Sequence, residues 1–128
     1  MTRILSDDVV EVFRRRGIKA EVPSSWFNAP DSFCASGGVA YDKLEGNFND
    51  LVELVERDGD GYHHVAKLLG VTVPYLLAFT AGYDSRETPN GLIGHDVTAE
   101  EQMGYEDGVN ARRALVQAGL VKGRGGTD

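Results

Sequence analysis

Two glycines twelve positions apart, Gly70 and Gly82, constrain this chain more than any other feature. They punctuate the stretch Tyr62–Asp84, YHHVAKLLGVTVPYLLAFTAGYD. Val65, Ala66 and Leu69 recur at helical spacing and define one face of a first helix. Gly70 is a helix stop that tolerates positive φ. Thr72 is placed to cap the next helix, and Pro74 falls in its first turn, where a missing N–H costs nothing. Leu76, Leu77 and Phe79 follow, and Gly82 is the expected stop of the second helix. A turn this tight forces the two helices to cross steeply.

Over 62–84 this layout resembles the helix-turn-helix of the phage-repressor type, the Cro-like or XRE family. Ala66 matches the small residue four positions before the turn glycine, Gly70. Val71 and Leu76 match the apolar positions after it, and Gly82 matches the second glycine. The resemblance implies that the second helix enters the major groove of double-stranded DNA. Thr72, Val73, Tyr75 and Ala78 would then face the groove, with Tyr62, Lys67, Ser85 and Arg86 beside them or near phosphates. Valine and alanine suit a thymine methyl, and Thr72 or Tyr75 a phosphate. None of these groove positions is Arg, Lys, Asn or Gln, the side chains suited to bidentate base contacts. The implied function is a small DNA-binding transcriptional regulator, acting as a homodimer. The alternative is a non-enzymatic protein-binding module on a degenerate version of the scaffold: an adaptor, an inhibitor or a phage-like assembly factor.

Charge favours that alternative. The formal net charge is −7 over 128 residues. A DNA binder usually shows a basic face, because phosphate contacts need several Lys or Arg. Within 62–84, Lys67 is balanced by Asp84. Acid concentrates in 42–60, where Asp42, Glu45, Asp50, Glu53, Glu56, Asp58 and Asp60 stand against Lys43 and Arg57. The length suits one domain, expected as a helical unit over 1–121 with a flexible tail over 122–128. No apolar run approaches the ~20 residues of a membrane span, and the first residues lack a signal peptide's apolar centre. One cysteine, Cys34, fits a reducing compartment, so a cytoplasmic protein with no membrane partner is expected.

Along the chain, Ser6 is placed to cap a helix running to about Arg16, with Asp7 and Asp8 at its positive end and Arg14, Arg15 and Arg16 at its negative end. Val9, Val12 and Phe13 form its core stripe. Gly17 stops it, and residues 18–22 alternate as a short strand or extended connector. Residues 23–38 read as an irregular loop, broken by two prolines, four serines and two glycines. Trp26, Phe27 and Phe33 lie in it, either covering the core or offering a partner-binding patch. A second helix is predicted over about 41–57, with Leu44, Phe48, Leu51, Val52 and Val55 inward and Asp50, Glu53 and Glu56 outward. Leu92 and Ile93 are expected to plug the core from a loop after Gly82. Thr98 and Glu101 form a capping box for a helix from Ala99 to Gln117. Gly104 and Gly108 make a small-residue strip on it, suited either to a partner contact between two copies or to internal packing.

Catalytic motifs are absent from the sequence: no phosphate loop, nucleophile elbow, HExxH or paired CxxC. Asp58 and Asp60 suggest a calcium loop, but the twelfth position is Leu69 rather than Glu. His63 and His64 are adjacent, about 100° apart on a helix, and cannot face one ion together. No enzyme activity, metal or cofactor is therefore expected. The expected fold is mostly α, a compact bundle of four or five helices containing the helix-turn-helix, with the irregular aromatic loop on one side.

Overall fold

The computed structural model describes residues 2–22, 25–84 and 97–121. Ser85 and Arg86, the loop expected to carry Leu92 and Ile93, and the tail expected over 122–128 lie outside the described residues. The elements are α1 (Ser6–Arg16), β1 (Lys19–Ala20), β2 (Phe27–Ala29), β3 (Ser32–Phe33), α2 (Ala35–Lys43), α3 (Phe48–Glu56), α4 (Gly61–Leu69), α5 (Val73–Tyr83) and α6 (Ala99–Gln117). The molecule is mostly helical, with six α-helices among the described residues rather than four or five. A small sheet orders its strands β1-β3-β2, with β1 parallel and β2 antiparallel to β3.

Helix α1 follows its sequence signals. Val9, Val12 and Phe13 are buried, Gly17 adopts φ +66°, and the Ile18 amide bonds back to the Phe13 carbonyl at 3.1 Å. Leu5, not Ser6, occupies the cap position, and no side chain caps this end. Helix α6 carries the full Thr98–Glu101 capping box.

The region 35–57 differs from expectation. The predicted long helix over 41–57 is two helices, α2 and α3. Glu45 and Gly46 take φ +58° and +77° between them, and Asn47 caps α3 by accepting from the Asp50 amide at 3.0 Å. The apolar stripe runs through this break without interruption, which hides it from periodicity. Helix α2 also begins earlier, inside the predicted loop, with Cys34 as its cap. Its glycines make room rather than break structure. A Cβ on Gly37 would lie 2.2 Å from the Trp26 carbonyl oxygen, and one on Gly38 would lie 2.4 Å from the Phe13 ring.

Helices α4 and α5 meet at Gly70, φ +74°, and are bent by 101° to one another. Thr72 caps α5 by accepting from the Tyr75 amide at 3.2 Å. Gly82 does not stop α5, which runs to Tyr83. Instead Gly82 lets α6 approach: a Cβ there would lie 2.2 Å from the Tyr105 carbonyl oxygen. Tyr75 meets Gly104 and Phe79 meets Gly108, so α5 and α6 advance in the same direction along one close seam. Helix α5 is the central element, buried from Tyr75 to Tyr83 except at Leu77.

Polar groups pin this core. The N-terminal arm crosses the α4–α5 turn, with Thr2 near Gly70 and Ile4 buried. The Tyr75 hydroxyl donates to Asp107 on α6 and accepts from the Ile4 amide at 2.8 Å. Arg3 donates twice to the same carboxylate, at 3.0 and 2.7 Å. The Tyr83 hydroxyl donates to the Glu21 carbonyl at 2.7 Å. Burial pushes both phenols up from their ordinary range. A raised folded pKa means that the fold favours the protonated phenol. That stability is complete below the unfolded value, about pH 10, and is lost as pH rises beyond it. The urea midpoint should therefore hold from pH 7 to 9 and fall above about pH 10. Tyr75→Phe should lower the midpoint at neutral pH and flatten the alkaline fall. An unchanged alkaline slope in that variant would refute the assignment to Tyr75.

Candidate functional site

The residues that the helix-turn-helix resemblance points to do not form one exposed face. Tyr75 and Ala78 are each 0% exposed, because α6 covers that side of α5 and Tyr75 is tied to Asp107. Neither side chain is available to a groove. Thr72 and Lys67 are exposed, Val73 and Tyr62 are half-buried, and Ser85 and Arg86 are outside the described residues. What α5 shows to solvent is Thr72, Pro74 and Leu77, with Val73 at the edge, an uncharged and largely apolar end. Arg15 and Arg16 are committed elsewhere: Arg15 to Glu11 and Asp42 at 2.9 and 2.7 Å, Arg16 to Asp42 at 2.8 Å.

The partner-binding candidates divide. Gly104 and Gly108 are buried against the α5 backbone, so the small-residue strip is an internal contact and not a partner surface. Phe33 is 0% exposed and belongs to the core, with its ring 4.6 Å from that of Tyr41. Trp26 and Phe27 are different. Both remain half-buried, packed against the core. The Phe27 ring meets Phe48 edge to face at 5.0 Å, at the start of α3. The Trp26 indole sits over the α3–α4 junction. A Cβ on Gly61 would come 2.8 Å from the Val55 carbonyl oxygen and 3.4 Å from Trp26 Nε1.

Helix α3 is only shallowly packed. Leu51 is its one buried residue; Phe48, Val52, Leu54 and Val55 stay half-buried. At 100° per residue, Val52 borders the arc that holds Glu56 and Glu53, and Leu54 borders Asp50. All three carboxylates are on exposed residues. The result is a strip of partly covered aromatic and aliphatic side chains edged by negative charge. Beyond it, His63 and His64 contact Asp60 and Asp58 at 2.5 and 3.1 Å, on the exposed side of α4. Among the described residues no group of three or more His, Cys, Asp or Glu side chains is arranged to hold a metal.

Behind Trp26 lies a cavity of about 210 Å³, lined by Ser25, Trp26, Cys34, Ser36, Tyr62, Thr80 and Asp84. The Trp26 and Tyr62 rings are 5.0 Å apart and tilted by 56°. Cys34 accepts from the Gly37 amide at 3.2 Å and lies 3.4 Å from Ser36 Oγ. Burial pushes its thiol up, and the Asp84 charge adds to the shift. A protonated, buried thiol is a poor nucleophile. A larger hollow of about 310 Å³ lies under the N-terminal arm, but its Arg3 and Arg15 are held by Asp107, Glu11 and Asp42.

Comparison with protein-family models, curated proteins and solved structures finds no match. The functional reading therefore stands on this geometry alone. Sequence inspection singled out Trp26 and Phe27 but missed what holds them. The signal was Gly37, whose lack of a side chain admits the Trp26 backbone.

Proposed function

We propose that this chain is a non-enzymatic protein-binding module that docks a basic, apolar-anchored segment of another protein along α3. The observation that carries this reading is the half-buried pair Trp26–Phe27, with Phe27 against Phe48 at the start of a helix whose outer face holds Asp50, Glu53 and Glu56, and Trp26 near its far end at Gly61. Partly covered aromatics supply contact area at low entropic cost, and flanking charge selects a partner of opposite sign. The net charge of −7 acts in the same sense over longer range.

A DNA-binding regulator is the second reading. The 101° bend between α4 and α5 and the exposed Thr72 cap favour it. The uncharged end of α5 opposes it. One comparison separates the two. Fluorescence anisotropy with a mixed-sequence duplex at 50 and 200 mM salt should show no binding. A partner recovered by cross-linking should lose affinity about tenfold in Glu53→Lys/Glu56→Lys, the scale of two rim charges reversed. Salt-sensitive duplex binding, or a partner indifferent to that double variant, would overturn the docking reading.

A further inference from the structure

The cavity behind Trp26 has a chemistry that none of the readings above uses. Its walls combine two aromatic rings, the hydroxyls of Ser25, Ser36 and Thr80, one thiol and one carboxylate. Asp84 is the only charged residue among the described residues lining it. The faces of indole and phenol rings carry negative potential and attract cations. Among the described residues none that lines it is basic, so none of them opposes a positive charge. The α2 N-terminus would oppose one, but its amides are engaged locally. Gly37 donates to Cys34 Sγ at 3.2 Å and Gly38 to the Cys34 carbonyl at 2.8 Å. Thr80 Oγ1 donates its proton to the Leu76 carbonyl at 3.0 Å, which leaves its lone pairs as acceptors.

Size narrows the occupant. About 210 Å³ falls below the ~300 Å³ of pockets for larger ligands. It suits the end of one side chain. Asp84 and Tyr62 keep other interactions within the fold. A carboxylate accepts about four hydrogen bonds and a ring binds through its face, so a guest adds to those contacts without replacing them.

We propose that this cavity receives an organic cation, the ammonium or guanidinium end of a lysine or arginine carried by the docked partner. The inference rests on the docking reading, since Trp26 belongs both to the cavity wall and to the strip along α3. The aromatic pair stacks on the cation and its alkyl stem, Asp84 supplies the counter-charge, and Thr80 and Ser36 accept from the N–H groups. The strip selects a basic segment; the cavity anchors one residue of it.

Trp26 is the only tryptophan, so its fluorescence reports the cavity directly. The full chain is titrated with N-acetyl-lysine methylamide, N-acetyl-arginine methylamide, the neutral N-acetyl-norleucine methylamide, and butylammonium. The lysine and arginine derivatives should give saturable shifts, and the norleucine derivative should bind about tenfold more weakly, as expected for loss of a partly desolvated cation–π contact. Asp84→Asn should weaken the cations alone. Tyr62→Leu serves the same purpose should Asp84→Asn fail to fold by circular dichroism. Equal binding of lysine and norleucine derivatives, or no saturation by either cation, overturns the proposal. Binding of butylammonium alone overturns the partner side chain as the source. Glu53→Lys/Glu56→Lys should leave the lysine titration unchanged. If that titration fails while partner affinity still depends on Glu53 and Glu56, the cavity role falls and docking stands. If it succeeds while the partner ignores those charges, docking falls instead.

Discussion

Gly108→Ala should destabilise this protein by about 3 kcal/mol, although alanine is the better helix former by about 1 kcal/mol. The new Cβ would lie 2.1 Å from the Phe79 carbonyl oxygen and 2.8 Å from the Tyr83 amide nitrogen. Both are backbone atoms of α5 and have no rotamer to escape into. The helices must part, and parting them loosens the whole seam, since Gly82 and Gly104 make contacts of the same kind. Overpacking of this sort typically costs 1–3 kcal/mol, and more where backbone has to move. For a domain of this size the thermal midpoint should fall by about 10 °C. Gly104→Ala/Gly108→Ala should cost less than the sum of its parts, because helices already parted admit the second methyl. An unchanged or raised midpoint in Gly108→Ala would mean that helix propensity dominates and that the seam is not close-packed.

Asp107→Ala should have the next largest effect, about 3 kcal/mol. Asp107 is 3% exposed and accepts from three donors on two other segments: the Tyr75 hydroxyl and both arms of the Arg3 guanidinium. Its removal strands the buried Tyr75 hydroxyl without an acceptor and frees the arm. Arg3 has 43% of its side chain exposed, so water screens its share of the ion pair. The expected order of loss is Asp107→Ala, then Tyr75→Phe, then Arg3→Ala, measured as urea midpoints at one pH. If Arg3→Ala proves as costly as Asp107→Ala, the ion pair rather than the buried phenol holds α5 to α6.

Much of the helical architecture was legible because its boundaries carry local chemistry. Gly17 and Gly70 both adopt positive φ where a helix ends, and Thr98 with Glu101 marks the start of α6. The alternating residues after Gly17 do contain a short strand, β1. What stayed hidden depended on neighbours distant in sequence. Gly37 and Gly38 look like loop residues, and only Trp26 and Phe13 explain why a helix needs them. The break at Glu45–Gly46 is a backbone event inside an uninterrupted apolar stripe. The burial of α5 could have been read. VPYLLAFTAGY is apolar on nearly every side, and a helix of that kind belongs in a core rather than at a surface that must face DNA. The candidate docking strip was half legible: Trp26 and Phe27 stood out as aromatics in a polar stretch, but their places at the two ends of α3 required coordinates.

The seam between α5 and α6 has a consequence during synthesis. Tyr83 ends α5, yet the chain must add 26 more residues before Val109 completes the opposite wall. At translation speeds of about 5–20 residues per second, that delay lasts roughly one to five seconds. For that interval α5, apolar on nearly every side, has no cover from α6, and exposed apolar surface of this kind is what chaperones hold.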